Sequence, residues 1–206
     1  MANPASWAFP VLLQTVGGAT ARLTVDGDDK LLDAFVAGAE SLAAQGAVGV
    51  ITSCGFLARW QERLAALVTL PIATSALLQI PLLQRCLPAG RRVGVITYDA
   101  AALTAAHFMA VGADPGTPVA GLPPDGALHG VIERGQAYDA AVLEQEVLEV
   151  VRGLLSEHPD IGALVLECTN LPPFAAAIRS ETGLPVYDVI TLGHWFHGGI
   201  SERRFA

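Results

Sequence analysis

The chain has 206 residues, 52% of them hydrophobic, a net charge of −8 and a single lysine, Lys30. So much apolar content excludes a disordered chain and supplies the core of one domain or two small ones. The acidic balance excludes the basic face that nucleic acid requires, so we expect a small-molecule partner and no nucleic acid.

Val11–Val16 predicts a strand, with Gly17-Gly18 turning the chain after it. Asp28-Asp29 offers a cap for a helix whose Leu31, Leu32, Phe35, Val36, Ala39 and Leu42 recur at helical spacing until Gln45-Gly46. A buried strand from Val48 ends at Cys54 and leads into a helix with Leu57, Trp60, Leu64 and Leu67 on one face. Arg59 and Arg63, four residues apart on that helix, read most simply as a solvated stripe, with an anionic ligand as the alternative partner of Arg59. Leu70–Ala73 reads as the next strand. Thr74 or Ser75 caps a helix to about Leu87, kinked by Pro81.

Pro88-Ala89-Gly90 marks a boundary, after which Arg92–Thr97 restarts the pattern as a strand and Tyr98-Asp99 opens a helix through Leu103, His107 and Met109. Residues 113–137 read as a loop-rich connection with one short strand at Val119–Leu122. A helix from Asp139 to Leu155 presents Leu143, Val147, Val150, Val151 and Leu154 on one face. A second strand ending at Cys168, a helix opened by Pro172-Pro173 and a strand at Leu184–Tyr187 follow. Asp188 stands where it can cap a final helix marked by Ile190, Trp195 and Ile200. His194 and His197 on that helix read as packing or interface residues.

This order contains a repeat. Val50-Ile51-Thr52-Ser53-Cys54-Gly55 and Leu164-Val165-Leu166-Glu167-Cys168-Thr169 lie 114 positions apart, and Leu70-Pro71 and Leu184-Pro185 keep the same offset. A duplicated unit predicts two pseudo-symmetric α/β halves with parallel sheets flanked by helices and a cleft between the strand ends. We expect the first half at residues 1–89 with 188–206 and the second at 90–187. Cys54 and Cys168 would then face one another across the cleft. The three cysteines and five histidines show no metal-ligand spacing, so we expect no metal and reduced thiols in a cytoplasmic protein. Cys86, on a leucine-rich helix, reads as a small hydrophobe. No apolar run approaches the ~20 residues of a membrane helix, and Met1–Pro10 lacks a basic signal start, so no membrane partner is expected.

The paired strand–Cys–helix units, with Cys168-Thr169 in the second, resemble the aspartate/glutamate/hydantoin racemase superfamily over nearly the whole chain. The resemblance implies a homodimer and a cofactor-independent isomerase in which Cys54 and Cys168 remove and return a proton at the carbon α to a carboxylate or carbonyl. A thiol suits both tasks because its ordinary pKa of ~8.5 makes both protonation states accessible, and a helix start beside it offers N–H donors for a thiolate or for a substrate carboxylate. Thr52, Ser53, Gly55, Phe56, Thr169 and Asn170 flank the thiols as candidate substrate contacts, and Thr97 and Tyr98 lie where the family places a carboxylate-binding loop, although strand-end and capping roles explain them equally well.

Racemases of acidic amino acids follow their cysteines with Asn-Thr and Thr-Glu, whereas this chain has Gly55-Phe56 and Thr169-Asn170. That departure implies a different, larger or more apolar substrate. The family's N-terminal strand is either missing here or replaced by Val11–Val16. Maleate isomerase-like cis–trans isomerisation, arylmalonate decarboxylase-like protonation and ligand binding without turnover are the alternatives on the same scaffold. Glu167 interrupts its apolar strand, and as a carboxylate beside Cys168 it predicts Cys54 as thiolate and Cys168 as thiol; strand alternation alternatively turns it to the other face, bonded elsewhere.

Overall fold

Residues 3–26 and 29–201, described in a computed structural model, alternate short strands with helices. The helices are α1 (Ala21–Asp26), α2 (Leu32–Ala44), α3 (Gln61–Leu67), α4 (Ile80–Cys86), α5 (Ala105–Ala110), α6 (Ala127–Arg134), α7 (Ala140–Glu157), α8 (Ala175–Thr182) and α9 (Val189–Ile200). The strands are β1 (Val50–Ile51), β2 (Ile72–Ala73), β3 (Arg92–Thr97), β4 (Val119–Gly121), β5 (Ile161–Leu166) and β6 (Val186–Tyr187).

They form two parallel sheets: β1 beside β2, with Val50 opposite Ile72, and four strands in the order β4-β3-β5-β6, with Ile96 opposite Leu166 and Val165 opposite Tyr187. The central pair, β3 and β5, is apolar between Arg92 and Thr97 at the ends of β3, as strands covered on both faces must be, and Val95, Ile96, Leu164, Val165 and Leu166 are inaccessible to solvent. α7 packs on β3 and β4 through the face containing Leu143, Val147, Val151 and Leu154, while α4 packs on β3 and α8 on β6. A second, smaller core gathers Leu31, Leu32, Val50, Leu57, Trp60 and Leu64 around β1. Cys54 packs against both cores and so marks their seam.

Several elements differ from the sequence reading. Val11–Val16 is not a strand; it runs beside α2 without regular secondary structure, with Val16 near Gly38 and Gln14 bonded to Ser41 at 3.2 Å, and it forms no strand pairing. Asp28 lies outside the described residues, and Asp29 opens a short 3-10 turn ahead of α2 while accepting from the Trp60 indole at 3.1 Å and the Arg63 guanidinium at 2.8 Å. Arg63 is therefore half of an ion pair, not simply solvated. The turn after Cys54 begins as a 3-10 helix, Gly55–Trp60, and Leu67 points to solvent.

Pro81 does not kink a helix. Ser75 caps a 3-10 turn, Ala76–Gln79, and Pro81 falls in the first turn of α4, where its missing N–H costs nothing. Helix α5 starts at Ala105 behind Thr104, with Asp99 instead bonding the Ala101 and Ala102 N–H groups. α6 falls inside the expected loop. Gly130 interrupts it, yet Leu128, Val131 and Ile132 keep helical spacing, and Gly126 and the left-handed Gly135 bound it.

Candidate active site

β1 delivers the first thiol. After Ile51 the chain leaves the sheet, the Thr52 hydroxyl donates to Thr74 O at 2.5 Å, and Cys54 takes an extended conformation ahead of the Gly55–Trp60 turn. The Phe56 N–H then faces the Cys54 sulfur. β5 delivers the second thiol in the same manner: Cys168 follows the strand and receives the Asn170 N–H, with the Asn170 amide 3.8 Å from its sulfur. Each thiol thus meets the backbone N–H two residues on, the local signature of a free helix-start donor. The two motif loops are tied directly, Thr169 Oγ1 donating to Ser53 O at 2.7 Å.

Glu167 lies between these loops. It is wholly buried; its Oε2 accepts from Thr97 Oγ1 at 2.7 Å and its Oε1 has no hydrogen-bond partner. Gly55 makes room for it, since a Cβ at that position would collide with the Glu167 side chain and lie 2.5 Å from its carbonyl oxygen. Burial pushes the carboxyl up to about 7, against the Thr97 hydrogen bond that favours its charged form.

The expected division into thiolate and thiol is not what the geometry gives. Burial pushes both Cys54 and Cys168 up to about 12, and the Glu167 charge opposes ionisation of both, because it stands between the loops and not beside Cys168 alone. The backbone donors oppose that rise in both cases. The site at rest holds two thiols, each a strong base once ionised.

Both sulfurs border a cavity of about 490 Å³, within the range of small-molecule sites. Thr52, Ser53, Gly55, Phe56, Tyr98, Thr169 and Asn170 also line it. Thr97 does not: its side chain is wholly buried and spent on Glu167, so it orients the carboxylate instead of meeting a ligand. Tyr98 is fixed from behind by a 2.7 Å bond to Glu133 and a stacked His129 ring 3.8 Å away, and burial and Glu133 both raise its hydroxyl pKa.

Sequence reasoning missed three parts of the wall. Leu12 and Leu13 come from the unpaired N-terminal segment, Phe35 from α2, and Ile132 from the unexpected α6. Ile132 could have been found from the Leu128, Val131 and Ile132 spacing; no local signal singles out Leu12 or Leu13. Among the described residues no cluster of three metal-ligating side chains occurs, and no helix is long and apolar enough to cross a membrane.

A family model described as Asp/Glu/Hydantoin racemase matches residues 17–196. Among curated proteins, the chain is 28% identical over 212 residues to a dimethylsulfoniopropionate lyase of Durusdinium sp. clade D, covering 98% of this chain and 70% of that protein. It is 25% identical over 213 residues to dimethylsulfoniopropionate lyase 7 of Emiliania huxleyi (strain CCMP1516), covering 98% of this chain and 62% of that protein. Among solved structures, unliganded arylmalonate decarboxylase aligns with TM-score 0.57 and 21% identity, over 87% of this chain and 79% of that one. Allantoin racemase from Klebsiella pneumoniae aligns with TM-score 0.59 and 16% identity, over 84% and 69%. These likenesses establish a shared fold.

Proposed function

Because the chain belongs to the Asp/Glu/hydantoin racemase family, we propose that it removes the proton α to a substrate carboxylate with a thiolate from Cys54 or Cys168, using no cofactor in that step. The observation that carries this reading is the pair of cysteines at equivalent strand ends, bordering one cavity and each meeting a backbone N–H donor. Those donors and the hydroxyl of Ser53, which borders the cavity, supply hydrogen bonds for the carboxylate as it gains enolate character.

The curated relatives favour elimination as the fate of the carbanion. With a β-sulfonium carboxylate such as dimethylsulfoniopropionate, the thiolate takes the α-proton and becomes a thiol. The C–H electron pair forms the Cα–Cβ double bond, and the C–S pair departs with sulfur as dimethyl sulfide, leaving acrylate. The thiol later releases its proton to solvent, so neither oxidant nor reductant is needed.

The matched environments of the two thiols support a second reading, racemisation, in which the second thiol returns a proton to the opposite face. Proton NMR in D2O separates the two. Dimethylsulfoniopropionate is expected to give vinyl signals, and the one of Cys54→Ser and Cys168→Ser that removes the base is expected to slow their appearance by about 10²-fold or more. Loss of an α-proton signal from an amino acid or hydantoin with the skeleton intact would establish racemisation instead. No exchange or cleavage with any of these compounds would sink the proton-transfer reading.

A further inference from the structure

Granting that Cys54 and Cys168 are the proton-transferring thiols, the charges around them also bear on which carboxylates they meet. Among the described residues lining the cavity there is no lysine, arginine or histidine, and the charged side chain present is Glu167. It is fixed from one side by Thr97, seated against Gly55 on the other, and left with one oxygen unpartnered. The other ionisable groups facing this space are the two thiols and Tyr98, whose hydroxyl is held by Glu133. The nearest histidines, His107 and His129, stand behind the rings of Phe56 and Tyr98 and do not line the cavity. Burial and the Arg59 charge hold His107 toward its neutral form.

We propose that Glu167 selects substrates by charge: the cavity takes carboxylates carrying a compensating cationic group, an onium or ammonium on a nearby carbon, and excludes dicarboxylates. A single carboxylate is accommodated by the Phe56 and Asn170 N–H groups and the Ser53 hydroxyl. A second finds no cation among the described residues lining the cavity and adds its charge to that of Glu167 in a poorly solvated space, where one unfavourable pair costs about tenfold in affinity. An onium group cancels the same field. It also stabilises a neighbouring thiolate, so the substrate admitted by charge is the one that favours forming the base, whereas a dicarboxylate opposes it.

Protection of Cys54 and Cys168 from iodoacetamide, in the Cys86→Ser chain, reads binding alone. The probes are β-alanine betaine, which lacks the ready sulfide leaving group, propionate and succinate. The betaine is expected to protect at the lowest concentration and succinate about tenfold less well than propionate. That gap should narrow as pH falls through about 7, where Glu167 takes up its proton, and should close in Glu167→Gln. Equal protection by succinate and betaine in the otherwise unmodified chain, a gap independent of pH, its full persistence in Glu167→Gln, or no protection by any probe would each overturn the proposal. The pH comparison needs no substitution at Glu167, so poor folding of that variant does not remove the test. Because protection does not depend on turnover, it can come out as expected even where no compound loses its α-proton.

Discussion

Glu167 and Gly55 come from opposite copies of the repeat and fit each other. A carboxylate of one half occupies the space that a side chain of the other would fill. Gly55→Ala is therefore expected to destabilise the fold by about 1–3 kcal/mol through overpacking, read as a lower urea midpoint with unchanged slope. The carboxylate's protonation acts on stability too. Between its usual 4.5 and about 7 the folded chain retains a proton that the unfolded chain has released. Stability falls as pH rises across that window, by about 3 kcal/mol in total. Glu167→Gln should remove this contribution, so its unfolding free energy should lie above that of the unmodified chain at alkaline pH. Equal pH slopes for the two chains would contradict the assignment. That Glu167 breaks an apolar strand was legible in the sequence. Its contact with Gly55 was not, because that depends on how the two loops meet in space.

At the scale of elements, legibility followed local chemistry. Asp188 was readable as a cap, and its carboxylate accepts from the Ile190 and Thr191 N–H groups at 2.9 Å each while the Thr191 hydroxyl accepts from its backbone N–H. Asp188→Ala should cost about 1 kcal/mol, seen as a fall in thermal midpoint, with the far-ultraviolet spectrum of the folded chain unchanged. The apolar faces of α7 and strands β3 and β5 were equally plain, since period and composition agree there. α6 was obscured by Gly130 and by the prolines before it, which promise loop on local grounds. Pro81 reads as a helix-interior proline because the preceding 3-10 turn has no pattern of its own to mark where α4 begins.

For the whole molecule, the 114-residue offset made two strand ends and two thiols predictable without any three-dimensional information. It left the outer wall of the cavity unseen. Val11–Val16 has the composition of a strand, yet what decides whether it pairs is the edge available to it, and β1 and β2 are only two residues long. His194 and His197 do pack, as read: Phe9 stacks on His197 at 3.8 Å and meets His194 edge-on. These ring contacts hold the chain preceding Leu12 against α9, a tertiary arrangement with no counterpart in local sequence.

Every strand pairing among the described residues is parallel, and this bears on when the site comes into being. No hairpin can close any of them. The central pairing joins Val95 to Val165 across α5, β4, α6 and α7, so its loop-closure entropy is lost before its contacts are gained. Refolding should therefore run on the millisecond-to-second side for domains of this size. Cys168 and Glu167 follow β5 directly and cannot meet Cys54 until that pairing is made. In a pulse-labelling experiment the two cleft thiols should become protected together, in the same late phase that completes β3 and β5.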